Sequence, residues 1–100
     1  HHSRVHDNVF FSSHVVLSGH CEVERYCWLG VNCSIKDHTK LAEGTFVGMG
    51  SVVTKDTEPY KRYKGVPAKE FGKDRSEKEV VGEKQGETTG IQTAMEQKQS

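Results

Sequence analysis

The chain has 100 residues, with 14 Lys and Arg balanced by 14 Asp and Glu, so its formal net charge is zero. That balance supplies no electrostatic hold on nucleic acid, and no run of 18 apolar residues is present to form a membrane-crossing helix. The length fits one domain; no secretory signal pattern stands out, and an opening on His rather than Met reads as a fragment, a processed product or a trimmed chain.

From Val5 to Val53 a bulky apolar residue returns every six positions: Val5, Phe11, Leu17, Val23, Leu29, Ile35, Leu41, Val47 and Val53. Four places after each comes a small or β-branched residue: Val9, Val15, Cys21, Cys27, Cys33, Thr39, Thr45, Ser51 and Thr57. Six is neither the 3.6 of a helix nor the 2 of a simple strand. It is the period of a hexapeptide β-helix, with one short strand and one turn per repeat. Three repeats close a triangular coil, which gives coils over 5–22, 23–40 and 41–58, stacked about 4.8 Å apart. Leu17, Ile35 and Val53 then form one inward column, and Phe11, Leu29 and Val47 another. The backbone groups pair with the coils above and below. The expected architecture is all-β: a single-stranded parallel β-helix over 1–58, a turn and extension over 59–72, and a disordered tail over 73–100.

Taken in order, His1 and His2 occupy the third and fourth places of a repeat, at a corner. Cys21, Cys27 and Cys33 fall at the small inward place of successive repeats, on three different walls, and so act as small hydrophobes rather than as a metal or disulfide set. Free thiols suit a reducing compartment, so the cytoplasm is expected. Trp28 and Phe46 hold the last place of their repeats, 18 residues apart, and should stack outward, buried in a contact between copies. Tyr60 to Phe71 leaves the rhythm, with Gly65 and Pro67 marking a turn. From residue 73 the chain is rich in Lys, Glu, Gln, Gly and Thr, too polar to offset its ordering entropy, with a short helical stretch expected near Ile91 to Gln97.

Six histidines are an excess for this length. His2, His14, His20 and His38 hold the fourth place of their repeats, and His2, His20 and His38 should stack on one corner. An exposed corner tolerates any polar residue, and His1 and His2 also fit a tag remnant. A neutral imidazole equally suits a general base near pH 7 or a metal ligand.

The run from His1 to Asp56, followed by Lys64-Gly65-Val66-Pro67-Ala68-Lys69, resembles the C-terminal part of hexapeptide-repeat acetyltransferases. Within them it is most similar to the sialic-acid O-acetyltransferase and bacillosamine N-acetyltransferase subgroup. The segments LSGHCEV, WLGVN, VGMGSVVTKD and GVPAK follow in order without a gap. The resemblance implies a left-handed β-helix, against the usual right-handed crossover, assembled as a homotrimer. It implies acetyl-CoA bound between subunits, no metal, and a sugar or nucleotide-sugar acceptor acetylated on a hydroxyl or an amine.

The same resemblance assigns residues. His1, 18 residues before Gly19, matches the catalytic base, and the Gly19 N–H would donate to the acetyl oxygen. Val31 and Met49 match positions along the pantetheine, while Pro67, Ala68 and Lys69 match the terminal motif near the coenzyme, with Lys69 or Lys64 toward its phosphates. His2 stands next to His1, where the family has an Asp or Glu to orient the imidazole. Asp37, about 10 Å from His1 by strand spacing, is too far to replace it, and Asp7 is a candidate substitute. Two other readings remain open at this point. One is a non-catalytic scaffold. The other is a metal-dependent enzyme of the γ-carbonic-anhydrase kind, using His1 and His6.

Overall fold

The computed structural model describes residues 3–78 and 80. Two-residue strands follow one another at six-residue intervals: β1 (Arg4–Val5), β2 (Phe10–Phe11), β3 (Val16–Leu17), β4 (Glu22–Val23), β5 (Trp28–Leu29), β6 (Ser34–Ile35), β7 (Lys40–Leu41), β8 (Phe46–Val47) and β9 (Val52–Val53). They form three walls, β1–β4–β7, β2–β5–β8 and β3–β6–β9. Every pairing within these walls is parallel and offset by one coil. Val5 lies on Val23 and Leu41, Phe11 on Leu29 and Val47, and Leu17 on Ile35 and Val53. The parallel β-helix and its inward columns are those expected from the period.

The second residue of each strand points inward because alternate side chains take opposite faces. Leu29, Ile35, Leu41 and Val47 are fully buried, each burial contributing about 1.5–3 kcal/mol. The small residue four places on fills the space at the next bend. Cys21, Cys27 and Cys33 are buried free thiols. Cys21 Sγ lies 3.0 Å from the Lys36 carbonyl and Cys27 Sγ 3.2 Å from that of Ala42. Burial pushes the Cys27 thiol up to about 12, which suits a packing role rather than a reactive one. Where threonine takes the place, its hydroxyl is satisfied inside the coil. Thr45 Oγ1 donates to the Ala42 carbonyl at 2.8 Å and lies 2.8 Å from Thr57 Oγ1, which accepts the Ala42 N–H at 2.9 Å.

From Asn8 to Gly50 each corner holds one left-handed residue, at the fourth place of the repeat. Asn8, His14, His20, Tyr26, Asn32 and His38 all have φ between 59° and 64°, and Gly44 and Gly50 continue the series. Asn and His are among the side chains that enter this region most readily. The histidine excess therefore has a conformational cause before any chemical one.

Two segments differ from the sequence reading. Residues 59–72 add to the helix rather than simply leaving it: β10 (Arg62–Lys64) pairs parallel with β8, Tyr63 on Val47, and β11 (Lys69–Glu70) returns antiparallel on β10. Tyr63 points inward in place of an aliphatic residue, its hydroxyl accepting the Glu58 N–H at 2.9 Å. Ala68 crosses the top of the core, its N–H on the Val52 carbonyl at 2.8 Å. Residues 73–78, counted by composition with the tail, lie against the coil. Arg75 is 3% exposed and donates from Nη1 to the Gly44 carbonyl at 2.8 Å, while Lys61 pairs with Asp74 at 3.0 Å. A polar composition does not order a segment by itself, but here a preformed wall offers it carbonyls and an aromatic face. The helical stretch expected near Ile91 to Gln97 lies outside the described residues. Among those described, no helix is long and apolar enough to cross a membrane.

Candidate functional site

The corner between β3 and β4 carries Gly19. Its carbonyl accepts the His38 N–H at 3.0 Å from the coil above. Among the described residues no acceptor faces the Gly19 N–H. The turn is pinned from below by Ser3, whose hydroxyl donates to the Ser18 carbonyl at 2.8 Å and accepts the Cys21 N–H at 3.1 Å. Sequence reasoning passed over Ser3, yet it stands in the same small inward column as Cys21, Thr39 and Thr57. That column was the signal available for it. His20 follows Gly19 and stacks on His38, ring centroids 4.9 Å apart, and Asp37 holds His38 Nδ1 at 3.4 Å. His1 and His2 lie outside the described residues, so their place beneath Gly19 stays an expectation.

A cavity of about 270 Å³ opens beside this corner, lined by Arg4, His20, Cys21 and Glu22. Glu22 receives His6 Nε2 at 2.9 Å and Arg4 at 4.0 Å. The His6 hydrogen bond, above all, holds its carboxyl below the usual carboxylate range, with Lys40 and Arg4 adding to the effect and burial opposing it. Glu24 lies 3.8 Å from His6 and 3.5 Å from Lys40. His6, Glu22 and Glu24 thus bring three possible ligand atoms within 4.8 Å of one another. Arg4 and Lys40 neutralise that cluster as a ladder of ion pairs between coils, which leaves little for a cation to gain.

Val31 and Met49 stand one above the other on a different corner, the one between β2 and β3 and its repeats. Val31 is 39% exposed and Met49 78%. Gly30 and Gly48 allow this corner to pack closely: a Cβ on Gly30 would meet Met49 N at 2.7 Å, and one on Gly48 would meet Lys64 Cβ at 3.3 Å. The Gly50 N–H then reaches the Val31 carbonyl at 2.8 Å. The cap continues this corner upward. Gly65 N–H is held by Ser51 Oγ at 3.0 Å, Val66 and Pro67 stand exposed above, and Lys69 lies opposite Lys64 across β10 and β11. A second cavity of about 340 Å³ lies at this end, with Lys55, Asp56, Glu58, Tyr63, Ala68 and Lys69 among its walls.

The predicted residues therefore fall into two groups. Val31, Met49, Pro67, Ala68 and Lys69 are gathered at one corner and the cap above it. Gly19 sits on the next corner, across the β3–β6–β9 wall, and within one chain it does not meet them.

No family model matches the chain. An acyl-[acyl-carrier-protein]–UDP-N-acetylglucosamine O-acyltransferase of Sinorhizobium fredii is 33% identical over 67 residues, which is 67% of this chain and 25% of that protein. A chloramphenicol acetyltransferase of Morganella morganii is 38% identical over 53 residues, 53% of this chain and 25% of that protein. The chain thus spans about a quarter of the curated relatives it matches. Among solved structures, the N-acyltransferase AntD from Bacillus cereus, in complex with dTDP and 3-hydroxybutyryl-CoA, superposes with a TM-score of 0.73 at 19% identity. That match covers 87% of this chain and 59% of that one. A serine acetyltransferase from Neisseria gonorrhoeae superposes with a TM-score of 0.66 at 27% identity, over 70% of this chain and 31% of that one. The fold is the left-handed parallel β-helix of these neighbours. With its unbroken six-residue repeat, its 18-residue coils and acyltransferase relatives in both sequence and structure, the chain belongs to the hexapeptide-repeat acyltransferase family.

Proposed function

We propose that this chain is the coenzyme-binding β-helix of an acyltransferase that moves an acetyl group from acetyl-CoA to a hydroxyl or amine of a sugar or nucleotide-sugar. The observation that carries this reading is the cap. It bolts the Gly65–Lys69 segment onto the last coil, directly above the Val31 and Met49 corner, and sets two lysines, Lys64 and Lys69, side by side at the end of an exposed apolar track. An extended ligand with an apolar arm and a phosphorylated end matches that arrangement. AntD solved with dTDP and 3-hydroxybutyryl-CoA supports an acyl-CoA donor, and a mutant of AntD solved with dTDP-4-amino-4,6-dideoxyglucose and coenzyme A supports a nucleotide-sugar acceptor.

In the proposed reaction His1 takes the proton of the acceptor's hydroxyl or amine as its oxygen or nitrogen bonds to the thioester carbonyl carbon. The Gly19 N–H donates to the oxygen that gains charge. The carbon–sulfur bond then breaks, and the thiolate leaves with the proton His1 had taken. Val31 and Met49 lie along the pantetheine, and Lys64 and Lys69 face the phosphates. The working form is a homotrimer, and its compartment is the cytoplasm. The test is a calorimetric titration of the full chain with acetyl-CoA, at a concentration where its assembled mass is known. Saturation at one site per chain is expected, and loss of acetyl transfer in His1→Ala with binding retained. No binding by the intact assembly would leave the β-helix standing as a scaffold and end the transferase reading.

A further inference from the structure

The peptide that joins Ser18 to Gly19 is held at one end only. Its carbonyl accepts the Ser3 hydroxyl at 2.8 Å, while among the described residues nothing accepts its N–H. The unit is planar and trans, so its C=O and N–H point in opposite directions. A bond that fixes the Ser18 carbonyl therefore fixes the line of the Gly19 N–H as well, and turns it away from Ser3. The same bond polarises the unit, since a carbonyl that accepts makes its own N–H a better donor. Ser3 also holds the far end of the turn, accepting the Cys21 N–H at 3.1 Å. From the coil above, the His38 N–H holds the Gly19 carbonyl at 3.0 Å. The Gly19 N–H is thus the open end of a clamped turn.

The same reach recurs one coil up with different chemistry. Cys21 meets the Lys36 carbonyl at 3.0 Å and Cys27 the Ala42 carbonyl at 3.2 Å, each 15 residues on, as Ser3 meets Ser18. A thiol donates and accepts weakly, whereas a hydroxyl does both well. The hydroxyl stands under the turn that carries Gly19; thiols stand under the next turn of the same column and on a neighbouring corner. We propose that Ser3 is a positioning residue of the transfer reaction: its hydroxyl aims the Gly19 N–H at the oxygen of the acetyl group and strengthens it as a donor. This role rests on the acyltransferase reading, which gives Gly19 its part. Ser3 touches no substrate atom and acts through the Ser18–Gly19 peptide alone. Because it follows His1 by two positions, one short stretch supplies both the base for the acceptor's proton and the brace behind the donor that meets the developing charge.

Nuclear magnetic resonance of the full chain reads the brace directly. In the wild type the Gly19 amide proton should move downfield with acetyl-CoA and not with coenzyme A, which lacks the acetyl carbonyl. Ser3→Ala should still bind coenzyme A, lose the acetyl-specific shift, and exchange its Cys21 amide with solvent about tenfold faster. Ser3→Thr should restore both, because Thr39 and Thr57 already fill the same column and Thr57 accepts a backbone N–H there at 2.9 Å. Ser3→Cys separates bracing from packing. Cys21 is buried in that column, so this variant should melt near the wild type while its acetyl-specific shift falls, and it decides the matter if Ser3→Ala does not fold. Cys27→Ala removes the matching contact on another corner and should keep the shift. A shift retained in Ser3→Ala or Ser3→Cys, or lost in Cys27→Ala, would overturn the proposal, as would a folded Ser3→Ala that no longer binds coenzyme A. If the wild type bound both ligands with one and the same Gly19 resonance, Ser3 would lose its role while the donor reading stood. If it bound neither, the donor reading would fall and the positioning role with it.

Discussion

Gly30 is a position where adding a single methyl group drives it into backbone alone. Its backbone does not need a left-handed conformation, so the cost is purely one of space. A Cβ there would sit 2.7 Å from Met49 N, 2.9 Å from Gly48 C and 3.0 Å from Met49 Cα, all backbone atoms of the next coil. To regain an ordinary contact that coil must retreat by about 0.7 Å. The bond from the Gly50 N–H to the Val31 carbonyl is 2.8 Å, and the same retreat stretches it to about 3.5 Å, beyond a useful hydrogen bond. Overpacking of this kind costs about 1–3 kcal/mol, and each kcal/mol lowers the melting temperature of a domain this size by roughly 4–8 °C. Gly30→Ala should therefore melt several degrees below the wild type and bind acetyl-CoA more weakly, because Met49 is displaced. Gly50→Asn is the matched control. Gly50 has φ 68° and nothing within 4 Å of an added Cβ, and Asn32 already fills the same corner place one coil below at φ 61°. It should melt within about 2 °C of the wild type, since Asn carries little penalty in this region. Calorimetric melting of the three proteins decides it. Equal melting of Gly30→Ala and wild type, or a larger loss in Gly50→Asn, would refute the close-packing argument.

Other outcomes follow from the same contacts. Arg75→Ala should cost about 1–3 kcal/mol by leaving the Gly44 carbonyl without its donor, read as a lower denaturant midpoint. The Glu22 carboxyl is lowered mainly by its hydrogen bond from His6, and that of Glu43 by its bonds from Tyr60 and Arg25. A carboxyl depressed in the folded state contributes stability that is complete above its ordinary value, 4.5, and lost as pH falls below it. Glu22→Gln and Glu43→Gln should thus flatten the acid side of the melting curve, and unchanged acid slopes would count against these bonds. All three thiols should resist an aromatic disulfide reagent in the folded protein and react together only on unfolding. Rapid labelling of Cys27 in buffer would contradict its burial.

The coils were legible because a six-residue period is rare and local, so one count placed the strands, the inward columns and the corners. The aromatic stack of Trp28 on Phe46 followed from the same count. The cap was not legible in that way. From Val47 to Tyr63 the next coil is two residues short, and β11 pairs backward on β10, so the rule that located every earlier strand skips Arg62–Lys64. Arg75 was missed because its burial depends on carbonyls and a ring supplied by residues some thirty positions earlier, which composition cannot register. The motif segments singled out Gly19, Val31, Met49 and the Pro67-Ala68-Lys69 run as candidates, but only the coil geometry separated them onto two corners. Ser3 went unnoticed because the pattern was counted from Val5, and His1 and His2 lie outside the described residues.

A solenoid of this kind measures length in whole units. Gly19 lies in the first coil and Lys69 in the cap above the third, with the coils stacked at about 4.8 Å. Inserting or removing 18 residues between them would leave every inward column and every left-handed corner intact. It would nonetheless move one end of the site away from, or toward, the other by a single fixed step. The reach from corner to cap is therefore an integer rather than a continuous property of this chain. A longer ligand arm would be accommodated by one more coil, and no adjustment of side chains along the walls would substitute for it.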